Sequence, residues 1–372
     1  MLAMASKPTF NPNSWSGRLS RDEIQETTAN PHKPMIDKAL ISYFPGSVYK
    51  HVTALAGLES GLITPTDTLN CPGYYAFGKN HKRFGCWKRS GHKKVNLTEA
   101  IQGSCDVYFY KIGEKIGMDK LAEYARILGF GTRTGIGINV DSPGLVPTKE
   151  YHALHSSVGF QAGFTLSTAI GQGDTRVTPL QMALSYAAIA NGGTLYYPSI
   201  VDHIETPDGK VLFEYPVRVR RQLRVKPENL HAIVKGLDMV MNEEHGTAYD
   251  HRLSYVRVAG KTGTAQVISK KISNSALPFH QRDHAWFVGF APVNDPEIVI
   301  TVFLEHGGSG GKNAAPVAME LLDRYFQELR HYNPMMVQHE RPQPRFLELP
   351  RASGSRDSAD RKLLGDHRVR RH

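Results

Sequence analysis

The stretch from Ser254 to Leu329 restricts the possible folds more than any other. Ser254–Ala259 alternates in polarity and leads into Gly260-Lys261-Thr262-Gly263-Thr264-Ala265, and His284–Phe290 and Glu297–Glu305 are apolar runs bounded by Pro and Gly. Such runs predict strands. An amphipathic helix over Asn313–Leu329 closes the segment. Strands joined by short loops and flanked by helices predict an α/β chain of the α+β kind, an antiparallel sheet with helices packed on it. At 372 residues, 40% hydrophobic and 22% charged, the chain can build one large core or two domains.

Upstream, Met1–Ser6 is apolar, and too short and uncharged for a signal peptide; it reads as the second half of a β-strand, so the chain is expected to begin inside a domain. Residues 7–46 carry five prolines and read as a long connection with little regular structure. A helix is expected over 47–61, and 64–95 reads as irregular. Asn96 is the expected N-cap of a helix whose capping box closes with Glu99. Further helices are expected at Val107–Gly117, Asp119–Leu128, Pro179–Ala190 and Pro227–Asn242, with strand-like alternation over 195–225 around Pro207-Asp208-Gly209. The globular domain is placed at 1–330. From 331 to 372 Pro, Arg, Ser and Asp dominate, which reads as a basic disordered tail.

Tyr43-Phe44-Pro45-Gly46 punctuates a turn, after which Ser47 opens a helix with Lys50 one turn on, on the same face. That geometry suits a nucleophile: the hydroxyl meets the positive end of the helix dipole, and an amine is in reach of its proton. Ser and Lys three apart are by themselves a common solvated face, so the reading needs support from elsewhere. Ser104-Cys105-Asp106 and Lys261-Thr262-Gly263-Thr264 supply it. Acyl transfer needs a nucleophile, a base, two oxyanion donors and a proton shuttle. Ser47 would attack, and Lys50 would be the base, made neutral by burial beside Lys261. Ser104 would relay a proton to the leaving nitrogen and Asp106 would hold its network. Lys261 and Thr262 suit a substrate carboxylate, Gly263 would admit the substrate backbone, and the N–H groups of Ser47 and Thr264 would form the oxyanion hole.

Ser-x-x-Lys, a Ser-Asp-Asn-like triplet and Lys-Thr-Gly in this order are the signature of serine β-lactamases and penicillin-binding proteins. With flanks such as Cys86-Trp87-Lys88, Ile170-Gly171-Gln172-Gly173 and Ala285-Trp286-Phe287-Val288-Gly289, the chain resembles the transpeptidase domain of class B penicillin-binding proteins of the elongation type, penicillin-binding protein 2, from residue 1 to about 330. The second motif departs from the pattern, with Asp106 where many relatives carry Asn. The resemblance implies the penicillin-binding protein/serine β-lactamase-like fold with an all-helical subdomain. It also implies D,D-transpeptidation of peptidoglycan stem peptides through a Ser47 acyl-enzyme, and acylation of that serine by β-lactams. For a complete protein it implies an inner-membrane anchor with the domain on the periplasmic face, and work beside a SEDS-type glycosyltransferase and the elongation machinery. The family's anchor, pedestal and first transpeptidase strand are not in this sequence.

Cys71, Cys86, His92 and Cys105 stand in the spacing C-x14-C-x5-H-x12-C, which is no standard zinc-finger spacing. Spacing alone leaves open three structural cysteines with a loop histidine, a Cys71–Cys86 disulfide with Cys105 free, or a metal site. The resemblance implies zinc, because members of this family hold one near the active site with Asp, Asp, His and Cys, and here Cys71 and Cys86 would replace the two Asp. Three thiolates and an imidazole make a closed structural set.

Two other enzyme classes compete with this reading. Gly307-Gly308-Ser309-Gly310-Gly311 matches a nucleophile elbow, but its acid and histidine would have to come from His331 and the tail, so a flexible loop is expected there. A serine β-lactamase would need a placed deacylating carboxylate, which the sequence does not offer. A third reading is an inactive remnant that only binds partners. Net charge is +10, but the bases are scattered and no nucleic-acid motif accompanies them; an anionic polymer or an acidic membrane suits them.

Overall fold

The structure, a computed structural model, describes residues 1–17, 20–138, 140–268 and 274–331. The expected tail from 332 onward lies outside the described residues. In chain order the elements are α1 (Arg21–Thr28), α2 (Lys50–Glu59), β1 (Leu69–Cys71), β2 (Tyr74–Phe77), β3 (Lys82–Gly85), β4 (Lys93–Val95), α3 (Leu97–Gln102), α4 (Asp106–Ile116) and α5 (Met118–Ile127). Then come α6 (Lys149–His155), α7 (Ala162–Ala169), α8 (Pro179–Ala190), β5 (Thr194–Tyr196), β6 (His203–Glu205), β7 (Val211–Glu214), β8 (Val219–Gln222) and α9 (Pro227–Asn242). The last are β9 (Ala259–Ala265), β10 (His284–Ala291), β11 (Ile298–Leu304) and α10 (Ala315–Arg324).

The antiparallel sheet is present, with β10 central between β9 and β11. Its register sets Gly263 opposite Trp286 and Trp286 opposite Phe303. β10 is buried at every position, so it reads as a continuous apolar run rather than an alternation. Its Trp286 is fully buried and its indole N–H donates to the Phe44 carbonyl at 3.0 Å, which ties the sheet to the turn before Ser47. α2 is buried from Lys50 through Leu58, so the helix downstream of that turn passes through the core, packed on α4, α5 and α9. α3 starts with the expected Asn96–Glu99 capping box, and α8 with Thr178–Gln181 and Pro179 in its first turn.

Several expectations fail. Met1–Ser6 pairs with no strand: its ammonium donates to the Ser199 carbonyl at 2.8 Å, and Met4 packs on a small cluster of Leu40, Ile136 and Leu180. The connection 7–46 contains α1, held by a Ser20–Glu23 capping box although none of its residues is buried. Residues 64–95 hold two antiparallel pairs, β1 with β4 and β2 with β3. Ser254–Val258 lies before the strand, which starts at Ala259. Gly307–Gly311 is not simply a loop: Ser309 caps a π-helical turn leading into α10, and a Cβ on Gly310 would lie 2.3 Å from the Gly263 carbonyl oxygen.

Candidate active site

The nucleophile turn is fixed from three sides. Gly46 has φ +58° and donates to the Gly171 carbonyl at 2.8 Å, while a Cβ on Gly171 would sit 2.2 Å from the Gly46 oxygen. The Val48 carbonyl accepts from the Tyr186 hydroxyl at 3.0 Å and from His51 Nδ1 at 2.8 Å. His51 Nε2 then accepts from Ser185 at 2.7 Å, and burial lowers the His51 pKa to about 4, in keeping with a neutral ring. From the sheet side, the Thr264 carbonyl lies 3.0 Å from where a Gly46 Cβ would be. Ser47 itself is half-buried between these supports.

Lys50 is 1% exposed. Its Nζ donates to the Ser104 carbonyl at 2.9 Å, to Ser104 Oγ at 3.1 Å and to Asp106 Oδ1 at 2.7 Å. Among the described residues these are its hydrogen bonds; none runs to Ser47. The other Asp106 oxygen accepts from the Trp87 backbone N–H at 2.9 Å, and the Trp87 indole N–H is shared between the carbonyls of Gly103 and Ser104. Ser104 has φ +54°, a left-handed conformation that costs a non-glycine residue and is held here by these contacts.

Lys261 reaches the same site from β9. It is fully buried, donates to the Thr262 carbonyl at 3.1 Å, and its pKa lies well below the usual lysine range, first through desolvation and second through Lys50. Burial and Lys50 thus act together on Lys261, while Asp106 lies 2.7 Å from Lys50 as its ion-pair partner. Thr262 is bonded to Thr247 at 2.7 Å, whereas Thr264 is exposed on the strand. Gly263 also needs correction. The space a Cβ would take holds Val48 Cγ1 at 3.0 Å, the Pro45 oxygen at 3.1 Å and Trp286 Cβ at 3.2 Å. Its missing side chain lets the nucleophile turn lie against the sheet; it opens no room for substrate on that side.

Cys71, Cys86, His92 and Cys105 converge, with their ligand atoms all within 4.8 Å of one another. All three cysteines are free and buried, so the Cys71–Cys86 disulfide does not form. His92 Nε2–H donates to the Gly103 carbonyl at 3.0 Å, which leaves Nδ1 bare toward Cys86 Sγ at 3.5 Å and Cys71 Sγ at 3.6 Å. A histidine oriented in this way by its second nitrogen is arranged as a ligand. The Cys86 thiol is held far below its ordinary pKa, first by a hydrogen bond with Cys105 and then by His92, while the same bond pushes Cys105 up. This donor set fits a tetrahedral zinc.

A family model described as the penicillin binding protein transpeptidase domain matches residues 1–323. The chain belongs to this family. The transpeptidase domain is 34% identical over 339 residues to the peptidoglycan D,D-transpeptidase MrdA of Haemophilus influenzae, covering 88% of this chain and 51% of that protein. It is also 34% identical to MrdA of Acinetobacter baumannii, over 90% of this chain and 50% of the relative. The domain thus spans about half the length of the curated relatives it matches. Among solved structures, Pseudomonas aeruginosa PBP2 in complex with WCK 5153 superposes with a TM-score of 0.77 at 33% identity, over 88% of this chain and 68% of that one. Helicobacter pylori PBP2 in complex with MreC gives 0.77 at 32%, over 88% and 58%. The penicillin-binding transpeptidase fold is thereby established.

Of the site residues expected from sequence, Lys50, Ser104, Asp106 and Lys261 come together, with Ser47 one turn before Lys50 and the cysteine–histidine cluster beside Ser104. Sequence reasoning missed the supports. Trp87 and Gly171 stand in the family flanks, but nothing in their spacing gives them a role. His51 had no signal beyond its place one turn after Ser47.

Proposed function

We propose that this domain cross-links peptidoglycan by D,D-transpeptidation through an acyl-enzyme on Ser47. The observation that carries the reading is Lys50, a fully buried amine one helical turn from Ser47, bonded to both Ser104 Oγ and Asp106. A solvated Ser/Lys face would have neither the burial nor these partners.

Ser47 Oγ bonds to the carbonyl carbon of the penultimate D-alanine of a stem peptide, and its proton passes to the amine of Lys50 in its neutral form. The backbone N–H groups of Ser47 and Thr264 receive the oxyanion. When the C–N bond breaks, the departing D-alanine nitrogen takes a proton from the Ser104 hydroxyl, which Lys50 restores. An amine of a neighbouring stem then attacks the ester, its proton returns along the same path, and Ser47 leaves as the hydroxyl. The Thr262 and Thr264 hydroxyls would hold the terminal carboxylate with Lys261 beneath. β-Lactams would acylate the same serine. Deacylation by water, as in a β-lactamase, lacks support: both oxygens of Asp106 are already engaged.

Zinc held by Cys71, Cys86, His92 and Cys105 belongs to the same reading. It would supply structural cross-linking of the loop behind Ser104. For a complete protein, the reading includes an inner-membrane anchor with this domain on the periplasmic face, and partners in the elongation machinery, including a SEDS-type glycosyltransferase. Intact-mass detection of a covalent penicillin adduct tests the chemistry. A stable adduct that disappears in Ser47→Ala is the expected result. A folded chain that takes up no penicillin, or an adduct that turns over quickly, overturns it.

A further inference from the structure

The segment behind the second motif has an uneven charge. From Thr68 through Thr98 there is no acidic residue, while Lys79, Lys82, Arg83, Lys88, Arg89, Lys93 and Lys94 are all present. All seven are exposed, and among the described residues none forms an ion pair. The bordering acids are taken locally. Asp67 accepts from the Thr64 N–H at 2.7 Å, Glu99 closes its own helix cap at 2.8 Å, and Glu114 accepts from Tyr75. Four of the cations sit on the two small antiparallel pairs: Lys82 is paired with Phe77 and Arg83 with Ala76 across β2–β3, while Lys93 and Lys94 lie opposite Cys71 and Asn70 across β1–β4; Lys79, Lys88 and Arg89 lie in the connections between these strands. These pairs are gathered by Cys71, Cys86 and His92, so the surface is carried on a built scaffold. Trp87, 57% exposed, stands within it, with its N–H turned inward to Gly103 and Ser104, its ring edge-on to His92 at 5.7 Å and otherwise open to solvent.

We infer that this surface docks the anionic peptidoglycan strand and delivers its stem peptides to Ser47. The inference rests on the transpeptidase reading, since the occupant is the substrate polymer of that reaction. Exposed cations without an ion-pair partner, Lys82 and Arg83 resting on the rings of Phe84 and Tyr74, suit a polymer that carries carboxylates at peptide spacing between sugar rings. A patch of one sign also raises the local concentration of an oppositely charged substrate, with a strong dependence on salt. Small ligands such as penicillin, which need only the Ser47 pocket, do not use it.

The test is co-sedimentation of the full chain with purified peptidoglycan sacculi, comparing the parent with Lys82→Glu/Arg83→Glu/Lys94→Glu. The 332–372 segment, with its own Lys and Arg, is identical in both. Binding is expected to fall by about tenfold or more in the variant, and equally for the parent on sacculi whose stem carboxylates are amidated. Penicillin-adduct formation is expected to stay within about twofold, which shows that the variant is folded and tests the Ser47 chemistry separately. Unchanged binding by a variant that still forms the adduct overturns the inference. So does a loss confined to phosphatidylglycerol vesicles, which would make the patch a membrane contact. If the variant forms no adduct, the neutral set Lys82→Gln/Arg83→Gln/Lys94→Gln replaces it, with the same outcomes at about half the effect on a logarithmic scale.

Discussion

Replacing Lys261 with Met should make the protein more stable and less active. The amine is 1% exposed, its hydrogen bond among the described residues is to the Thr262 carbonyl at 3.1 Å, and desolvation and Lys50 both oppose its charge. A thioether of similar length removes the cost of burying or deprotonating this amine and sacrifices that bond. The bond contributes about 1 kcal/mol, whereas the burial penalty of an ammonium amounts to several kcal/mol. The balance favours the variant by about 1–3 kcal/mol at pH 7. The pH dependence has a definite sign. A lysine depressed in the folded state is protonated mainly in the unfolded chain, so the unfolded state binds more protons and stability rises with pH. That contribution is fully present only above the ordinary lysine value of 10.5 and is lost as pH falls through the lower folded value. The advantage of Lys261→Met should therefore be largest near neutrality and shrink toward pH 10.5. Urea unfolding of both proteins from pH 6.5 to 10 measures it, and acylation by a fluorescent penicillin should fall by about 10²–10³-fold. A variant less stable than its parent at pH 7, or a difference that does not narrow with pH, would refute the reasoning.

Gly171→Ala places a Cβ 2.2 Å from the Gly46 oxygen at φ +72°, so it should displace the nucleophile turn, lowering stability by more than about 2 kcal/mol and slowing acylation, both read on one preparation. Asp106→Ala leaves the buried Lys50 without its counter-charge and should destabilise by about 3–5 kcal/mol in urea titrations, far more than an exposed pair such as Lys120–Glu123 would cost. If the cysteine cluster holds zinc, chain purified without chelator should contain about one equivalent per protein. Stripping it should then lower the melting temperature and the rate of Ser47 acylation together.

What the sequence disclosed depended on whether a local signal set the structure. α8 and α9 begin at Pro179 and Pro227 and end where they were expected, because proline, cap and periodicity agree. The three catalytic stretches were legible because acyl transfer requires those side chains, and the fold brings Lys50, Ser104, Asp106 and Lys261 into one buried group. By contrast, β1 to β4 are three or four residues long, below the length at which alternation can be read, and converging cysteines gather them. α1 buries nothing and so has no periodic face; its Ser20–Glu23 box was the available signal. Met1–Ser6 is apolar, but a strand is made by its partner, which pattern alone does not supply. Gly263 shows the limit best. Its residue type announced a close approach, and only the packing reveals that Val48 and Pro45 make it.

The arrangement of charge suggests how an empty site becomes reactive. Two buried amines share one carboxylate: Asp106 lies on Lys50 at 2.7 Å, while desolvation and Lys50 hold the Lys261 pKa well below the ordinary lysine range. Lys50 Nζ is engaged by Ser104 and Asp106, and among the described residues it makes no bond to Ser47. In the transpeptidase reading a stem peptide would bring a second carboxylate to β9, and that charge would favour protonation of Lys261. Proton transfer from Lys50 to Lys261 would then leave Lys50 neutral just when Ser47 needs a base. On this hypothesis, binding of a carboxylate-bearing, non-acylating stem analogue takes up almost no proton from solution. Calorimetry of that binding in buffers of different ionisation enthalpy decides it. Equal apparent enthalpies support internal transfer; an uptake near one proton per site would mean that Lys261 is charged from solvent and that Lys50 remains an ammonium.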